Sequence, residues 1–284
     1  MIDTQDLEKI VALTLCTAYI KGDKPLSLLI VSDRPESGKT EITKQFSGTP
    51  RVEFATDVTG YGLKRDFTQK ILKGEVKHII IPEMVTPLSK GRVSSDSFTS
   101  VLQAIIEDGI MGIHTGFIQS SWAKDMPIRS VGIIGCLPRT FYQNVRYKWL
   151  LLGFLSRFLV VSYRHGDDTL IRIFDSINDG SYLTATEKKR LAFDGEDIAV
   201  TIPKDVGLAC EQLGRGIVAE AVKAGLAYGY REVKHIRALV AANVIYERIT
   251  KGTQRATASM ADFEEVDRLG YLFNEQYNAL KGGD

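Results

Sequence analysis

A chain of 284 residues has room for one large domain, or for a core with a small second domain. Its 36 Lys and Arg against 35 Asp and Glu leave no global basic field of the kind that marks a nucleic-acid binder, although a local patch stays open. No apolar run is long enough to cross a bilayer, and Cys16, Cys136 and Cys210 show neither metal-ligand spacing nor a secretory context; the expectation is a cytoplasmic protein with no membrane partner.

The chain opens on an amphipathic pattern from Asp6 to Tyr19, which predicts a helix. Leu28-Leu29-Ile30-Val31 then reads as a strand buried on both faces. It runs into Asp33-Arg34-Pro35-Glu36-Ser37-Gly38-Lys39-Thr40, which meets the phosphate-loop pattern G-x-x-x-x-G-K-[ST] except that Asp33 takes the place of the first Gly. A helix-like stretch from Thr40 to Phe46 follows. In that strand–loop–helix setting, backbone N–H groups face phosphate, Lys39 adds a point charge and Thr40 offers a Mg²⁺ ligand.

Arg51 to Thr56 alternates as a half-buried strand, and Gly60 and Gly62 predict a turn before a helix over Lys64 to Leu72. Lys77 to Glu83 is a second buried strand ending in an acid. Glu83 is placed to polarise a water, while Pro82 stands where a metal-holding acid is usual and cannot coordinate. A polar loop is expected between Lys90 and Asp96, a helix over Ser97 to Glu107, and a hairpin over Ile110 to Ile118 turning near His114. Ser130 to Cys136 and Leu155 to Val161 complete the strands. Strands alternating with helices predict a parallel α/β sheet. From about Asp168 the strands stop. Asp205 to Ala227, Arg231 to Lys251 and Met260 to Leu280 read as helices, which suggests a core over residues 1–175 and a helical domain over residues 176–284.

Two arginines stand out. Arg157 lies immediately before a buried strand, where a charge is costly unless paired. Arg231 opens a helix after Gly229, with Arg237 two turns further on; the alternative for each is an arginine satisfied locally or by solvent.

The order of these features resembles the AAA+ ATPases, and among them the minichromosome-maintenance (MCM) and MoxR-type branches. The phosphate loop sits at the Walker A position, and Ile79 to Glu83 at that of Walker B. Arg51 to Leu63 is similar to the second strand and Gly-Leu turn of MCM proteins, and Val101 to Gly109 to the helix before the pre-sensor-1 hairpin. Leu155-Ser156-Arg157-Phe158 resembles an arginine-finger motif, and Tyr230-Arg231-Glu232-Val233 falls where a sensor-2 arginine opens a lid helix.

The resemblance implies a P-loop NTPase core with a parallel five-stranded sheet flanked by helices, plus a small C-terminal helical lid. It implies ATP and Mg²⁺ as cofactors, with Ser37, Gly38, Lys39, Thr40 and Glu41 contacting the nucleotide and Thr40 and Glu83 serving the metal. Glu83, Arg157 and Arg231 would be the catalytic residues. A finger acts on a neighbour's nucleotide, so a head-to-tail ring or helical homo-oligomer is implied, commonly of about six subunits per turn.

Three positions depart from the pattern. These are Asp33, Pro82, and Cys136 or Leu137 at the sensor-1 place, where neither side chain positions a water well. Loss of one positioning group slows catalysis about 10²–10³-fold, so slow or assembly-dependent hydrolysis is expected. The first functional expectation is an MCM-like motor or loader acting on DNA, with Lys90, Arg92 and His114 touching phosphates. The others are an ATPase that remodels a protein partner or switches an assembly, and a non-hydrolysing scaffold.

Overall fold

A computed structural model describes residues 3–34, 36–107, 112–114, 119–121, 129–181, 188–193 and 195–273. In chain order the first half runs α1 (Gln5–Cys16), β1 (Ser27–Ser32), α2 (Lys39–Lys44), β2 (Val52–Phe54), α3 (Gly60–Lys73), β3 (His78–Ile81), α4 (Val85–Ser89) and α5 (Arg92–Glu107). Next come β4 (Gly112–His114), β5 (Gln119–Ser121), β6 (Gly132–Pro138), α6 (Arg139–Leu151), β7 (Phe158–Tyr163) and α7 (Asp167–Asn178). The last helices are α8 (Lys204–Ile217), α9 (Ala219–Lys223), α10 (Tyr230–Lys251) and α11 (Met260–Arg268).

Five strands form one parallel sheet in the order β2-β3-β6-β1-β7. The two central neighbours pair Ile30 with Cys136, and β1 pairs Ser27 with Phe158 on its other side. β1, β3 and the first four residues of β7 are wholly buried, which is why they read as unbroken apolar runs. β2 lies at an edge and is only half-buried, which accounts for its alternation. β4 and β5 pair antiparallel as the expected hairpin, with the second strand slightly later than the pattern placed it.

Alternate side chains divide the core into two layers. Leu28, Ile30, Ile80, Ile134 and Leu159 face α1, α2 and the C-terminal helices. Leu29, Val31, Ile79, Ile133 and Val160 face α3, α5 and α6. α1 is covered by the sheet on one side and by α10 on the other, so every residue from Ile10 to Cys16 is buried. The expected boundary at residue 175 falls in the last turn of α7. Beyond it the chain returns to α1, where Ile198 pairs with Ile20 and Leu191 joins the same apolar cluster.

Four local expectations are corrected. Gly60 and Gly62 form the first turn of α3, not a turn before it; Thr59 caps that helix by accepting from Gly62 N–H at 3.0 Å. Gly60 is needed for close approach, because a Cβ there would lie 3.0 Å from the Ser97 carbonyl oxygen on α5. The polar segment Arg92 to Asp96 is the first turn of α5, with Gly91 C=O accepting from Ser94 and Ser95, and only Lys90 and Gly91 precede it. The helix expected over Asp205 to Ala227 breaks at Val218, and α11 gives way to a tighter turn over Leu269–Phe273. The end of the helix expected to reach Leu280 lies outside the described residues.

Candidate functional site

β1 and β6 are neighbours, but their following helices go to opposite faces. Ile42 and Phe46, in and just after α2, join the layer with α1, whereas Tyr142, Trp149 and Leu150 of α6 join the layer with α3 and α5. This leaves a crevice at the carboxyl ends of the two strands, the place where open parallel sheets take ligands. Asp33, Arg34 and the residues Glu36 to Gly38 lie at it. Gly38 has φ +83 and Glu36 φ +62, so the loop makes two left-handed residues before α2 begins.

Lys39 turns back into this loop. Its ammonium donates to Ser32 Oγ at 2.5 Å, to Ser37 Oγ at 3.2 Å and to the Arg34 carbonyl at 3.4 Å. Burial lowers its pKa, while the nearby Glu83 acts to raise it. Thr40 Oγ1 donates to Glu83 Oε1 at 3.1 Å, so the hydroxyl and the acid expected at the metal stand together at the sheet edge. One hydroxyl and one carboxylate are compatible with Mg²⁺, which keeps waters and phosphate oxygens as its other ligands. Among the described residues no cluster of three or more His, Cys, Asp or Glu offers an all-protein metal cage. Glu41 points to solvent and pairs with Lys44 at 2.9 Å.

The three departures have visible environments. The Asp33 carboxylate is 2.8 Å from Arg139 Nε and 3.5 Å from Arg164 Nε, so its charge is compensated beside the loop. Pro82 is buried directly after Ile81 and leaves Glu83 as the only acid at that strand end. Cys136 is buried against Ile30, and burial pushes its thiol up to about 12, so it stays neutral. The loop is also held from β7. Tyr163 OH donates to the Ser37 carbonyl at 2.7 Å, and the His165 ring nitrogen Nε2 lies 3.0 Å from the same oxygen. Burial raises the Tyr163 pKa and keeps its proton in place for that bond.

Arg139, Tyr163, Arg164 and His165 carry no motif in the sequence. A signal for them exists, since each lies at or within two residues of the carboxyl end of a buried parallel strand, where ligand-facing loops begin.

The two expected catalytic arginines lie elsewhere. Arg157 immediately precedes β7, at the amino end of the sheet, and donates to the Gly153 carbonyl. Arg231 donates to Ser156 Oγ at 2.6 Å. Both approach Glu107 Oε2, at 3.7 and 3.6 Å, and Lys24 stands 3.7 Å from the other oxygen. These groups line a cleft of about 490 Å³ that also holds Lys234, His235 and Arg237. Five Lys and Arg against Asp23 and Glu107 give it a net positive wall. β1 spans six residues, so about 17 Å separates this cleft from the Lys39 loop. Arg231 therefore stands beside Arg157 and does not reach the loop of its own chain.

Of the residues expected to meet DNA, Lys90 pairs with Asp57, and Arg92 lies 3.7 Å from Asp96. The side chain of His114 lies outside the described residues. No helix among the described residues is long and apolar enough to cross a membrane. No protein-family model matches the chain and no curated protein matches its sequence.

Proposed function

We propose that this chain binds ATP with Mg²⁺ at the Lys39 loop and uses it to assemble head to tail, with hydrolysis that is slow and depends on assembly. The observation that carries the reading is the split of the charged machinery between two edges of one sheet. Lys39, Thr40 and Glu83 occupy the carboxyl edge, while Arg157 and Arg231 occupy the amino edge about 17 Å away. Cations that stabilise a transferring phosphoryl group must touch it. One copy alone cannot supply both sets to one nucleotide, and a neighbour stacked edge to edge can. This is the arrangement expected of an AAA+ core over residues 1–175 with helices over residues 176–284 as its lid.

The roles follow from the contacts. Lys39 exchanges a loop oxygen for a phosphate oxygen, and Thr40 gives its hydroxyl to the metal shell. Glu83, released from Thr40, orients the water. Arg157 and Arg231 exchange Glu107 for the neighbour's phosphate. Pro82 and the neutral Cys136 leave the metal and the water under-held, which supports slow turnover. Lys90 and Arg92 each stand beside one acid, and the chain as a whole carries no basic excess, which favours an assembly switch or scaffold over a DNA motor.

The test is a titration with a fluorescent ATP analogue and Mg²⁺, repeated for Lys39→Ala. A charge-assisted hydrogen bond contributes about 1.5–3 kcal/mol, so affinity should fall about 10–100-fold. Equal affinity in both proteins would end the nucleotide reading. In the same assay, turnover raised by DNA together with salt-sensitive DNA binding would restore the motor.

A further inference from the structure

Among the described residues, an apolar patch of three large exposed side chains stands at each edge of the sheet. The first lies on α7, where Ile171, Phe174 and Ile177 recur every three residues along one side and are 58%, 61% and 49% exposed. Thr169 is the helix's one buried residue. A helix of a monomeric protein turns such a stripe toward its own core. α7 hangs from the carboxyl end of β7, beside the Lys39 loop. His165, two residues before it, contacts the Ser37 carbonyl, and Thr169 donates to the Asp3 carboxylate at 2.6 Å. The second patch closes α6. Tyr147 and Leu151, one turn apart, and Leu152 after them are 58%, 62% and 53% exposed. The next residue, Gly153, turns the chain with φ +64, and its carbonyl receives Arg157. The first patch thus borders the loop edge and the second the arginine edge.

The charges around the patches are opposite. α7 carries Asp167, Asp168 and Asp175 against Arg172, a net charge of 1 − 3 = −2. α6 carries Arg139, Arg146 and Lys148 and no acid; Arg139 is held by Asp33 at the loop edge, and beside the patch Arg146, Lys148 and Arg92 stand against Asp96, a net charge of +2. Pairing α7 with α7 or α6 with α6 would set like charges together, which disfavours a symmetric dimer. Pairing α7 with α6 joins opposite charges and covers both apolar patches. A contact between two different faces of the same chain repeats from copy to copy.

We propose that α7 of one copy seats on Tyr147, Leu151 and Leu152 of the next, the occupant of each patch being a second copy of this chain. The inference rests on the proposed function in one respect, since this seating brings the Lys39 edge of one copy toward the Arg157 edge of its neighbour. Phe174 is the central anchor of one face and Leu151 of the other.

The experiment is sedimentation velocity of the full chain at micromolar concentration, with and without Mg²⁺ and a non-hydrolysable ATP analogue. It compares wild type, Phe174→Glu and Leu151→Glu, all checked for an unchanged thermal midpoint. Both sites are exposed, so folding should survive. The wild type should exceed a dimer, and each variant alone should be monomeric. An equimolar mixture of the two variants should form a 1:1 dimer and nothing larger, because each supplies the face the other lacks. Assembly that persists in both variants, a wild type that stops at a symmetric dimer, or one that stays monomeric would overturn the inference. Nucleotide titration of the monomeric variants keeps the two ideas apart. The mixing pattern without nucleotide binding would leave this interface standing and remove the ATP reading, and binding without assembly would do the reverse.

Discussion

The two edges of the sheet are built on different terms. At the amino edge the centre is closed. His78, at the start of β3, is fully buried, its ring nitrogen lies 3.2 Å from the Leu26 carbonyl, and a Cβ on Gly132 would meet both groups at about 2.5 Å. Toward β7 this edge opens into the cleft where Glu107 gathers Lys24, Arg157 and Arg231. The carboxyl edge is made differently. It is a polar loop with two left-handed residues, cross-tied by Lys39, Tyr163 and His165. One edge gathers three cations on Glu107; the other holds the Lys39 ammonium against neutral oxygens and sets Arg139 and Arg164 against Asp33. Each arrangement is satisfied by itself.

The sharpest way to break this comparison is Arg157→Ala. If the edges work only across copies, turnover of the assembled protein should fall about 10³-fold or more, the lower end of what an arginine finger supplies. Nucleotide affinity should stay within about twofold, because the loop is about 17 Å away. Mixing this variant with Lys39→Ala should restore part of the turnover, since one protein keeps an intact loop and the other an intact arginine. A mixture as inactive as its components would mean that the edges do not meet.

The closed part of the amino edge predicts a smaller effect, on stability. Burial holds His78 neutral, with its pKa pushed down to about 3 from an ordinary value of 6.5. Between those values the unfolded chain binds a proton that the native chain refuses. Stability should therefore decrease on acidification through this window, by up to about 1.4 kcal/mol per pH unit from this group. Urea unfolding from pH 7 to pH 4 measures the slope. His78→Gln should flatten it by about one proton; an unchanged slope would place the proton uptake elsewhere.

The sequence made the amino-to-carboxyl direction of the sheet legible, and the partners across it much less so. β1, β3 and β7 are visible as apolar runs because both their faces are covered. Lys39, Thr40 and Glu83 are visible because a Gly-Lys-Thr between a buried strand and a helix, and an acid that ends a buried strand, are local patterns. Gly60 misleads, since a glycine forced by a neighbouring helix looks the same in sequence as one that makes a turn. Arg92 to Asp96 misleads because a helix's exposed first turn is as polar as a loop. Arg139 and Arg164 meet Asp33 only through the strand order, and Arg231 meets Glu107 only through the packing of α10 against the amino edge. Pairings set by topology leave no periodic trace along the chain.

The carboxyl edge predicts the smallest effect. Glu36 is exposed and sits at φ +62, a conformation that a side chain with a Cβ adopts at a cost of about 1 kcal/mol or more. Glu36→Gly removes the steric cost but adds freedom to the unfolded chain, so the net gain should be about 0.5–1 kcal/mol. It should appear as a higher urea midpoint with an unchanged slope. If the loop keeps its form only because Tyr163, His165 and Lys39 tie it down, nucleotide affinity should be unchanged, since those ties remain. A loss of affinity greater than about threefold would show instead that the Glu36 backbone had been pre-set for the ligand. The strain would then belong to binding, and the contrast between a plugged edge and a tied edge would become one between a structural edge and a functional one.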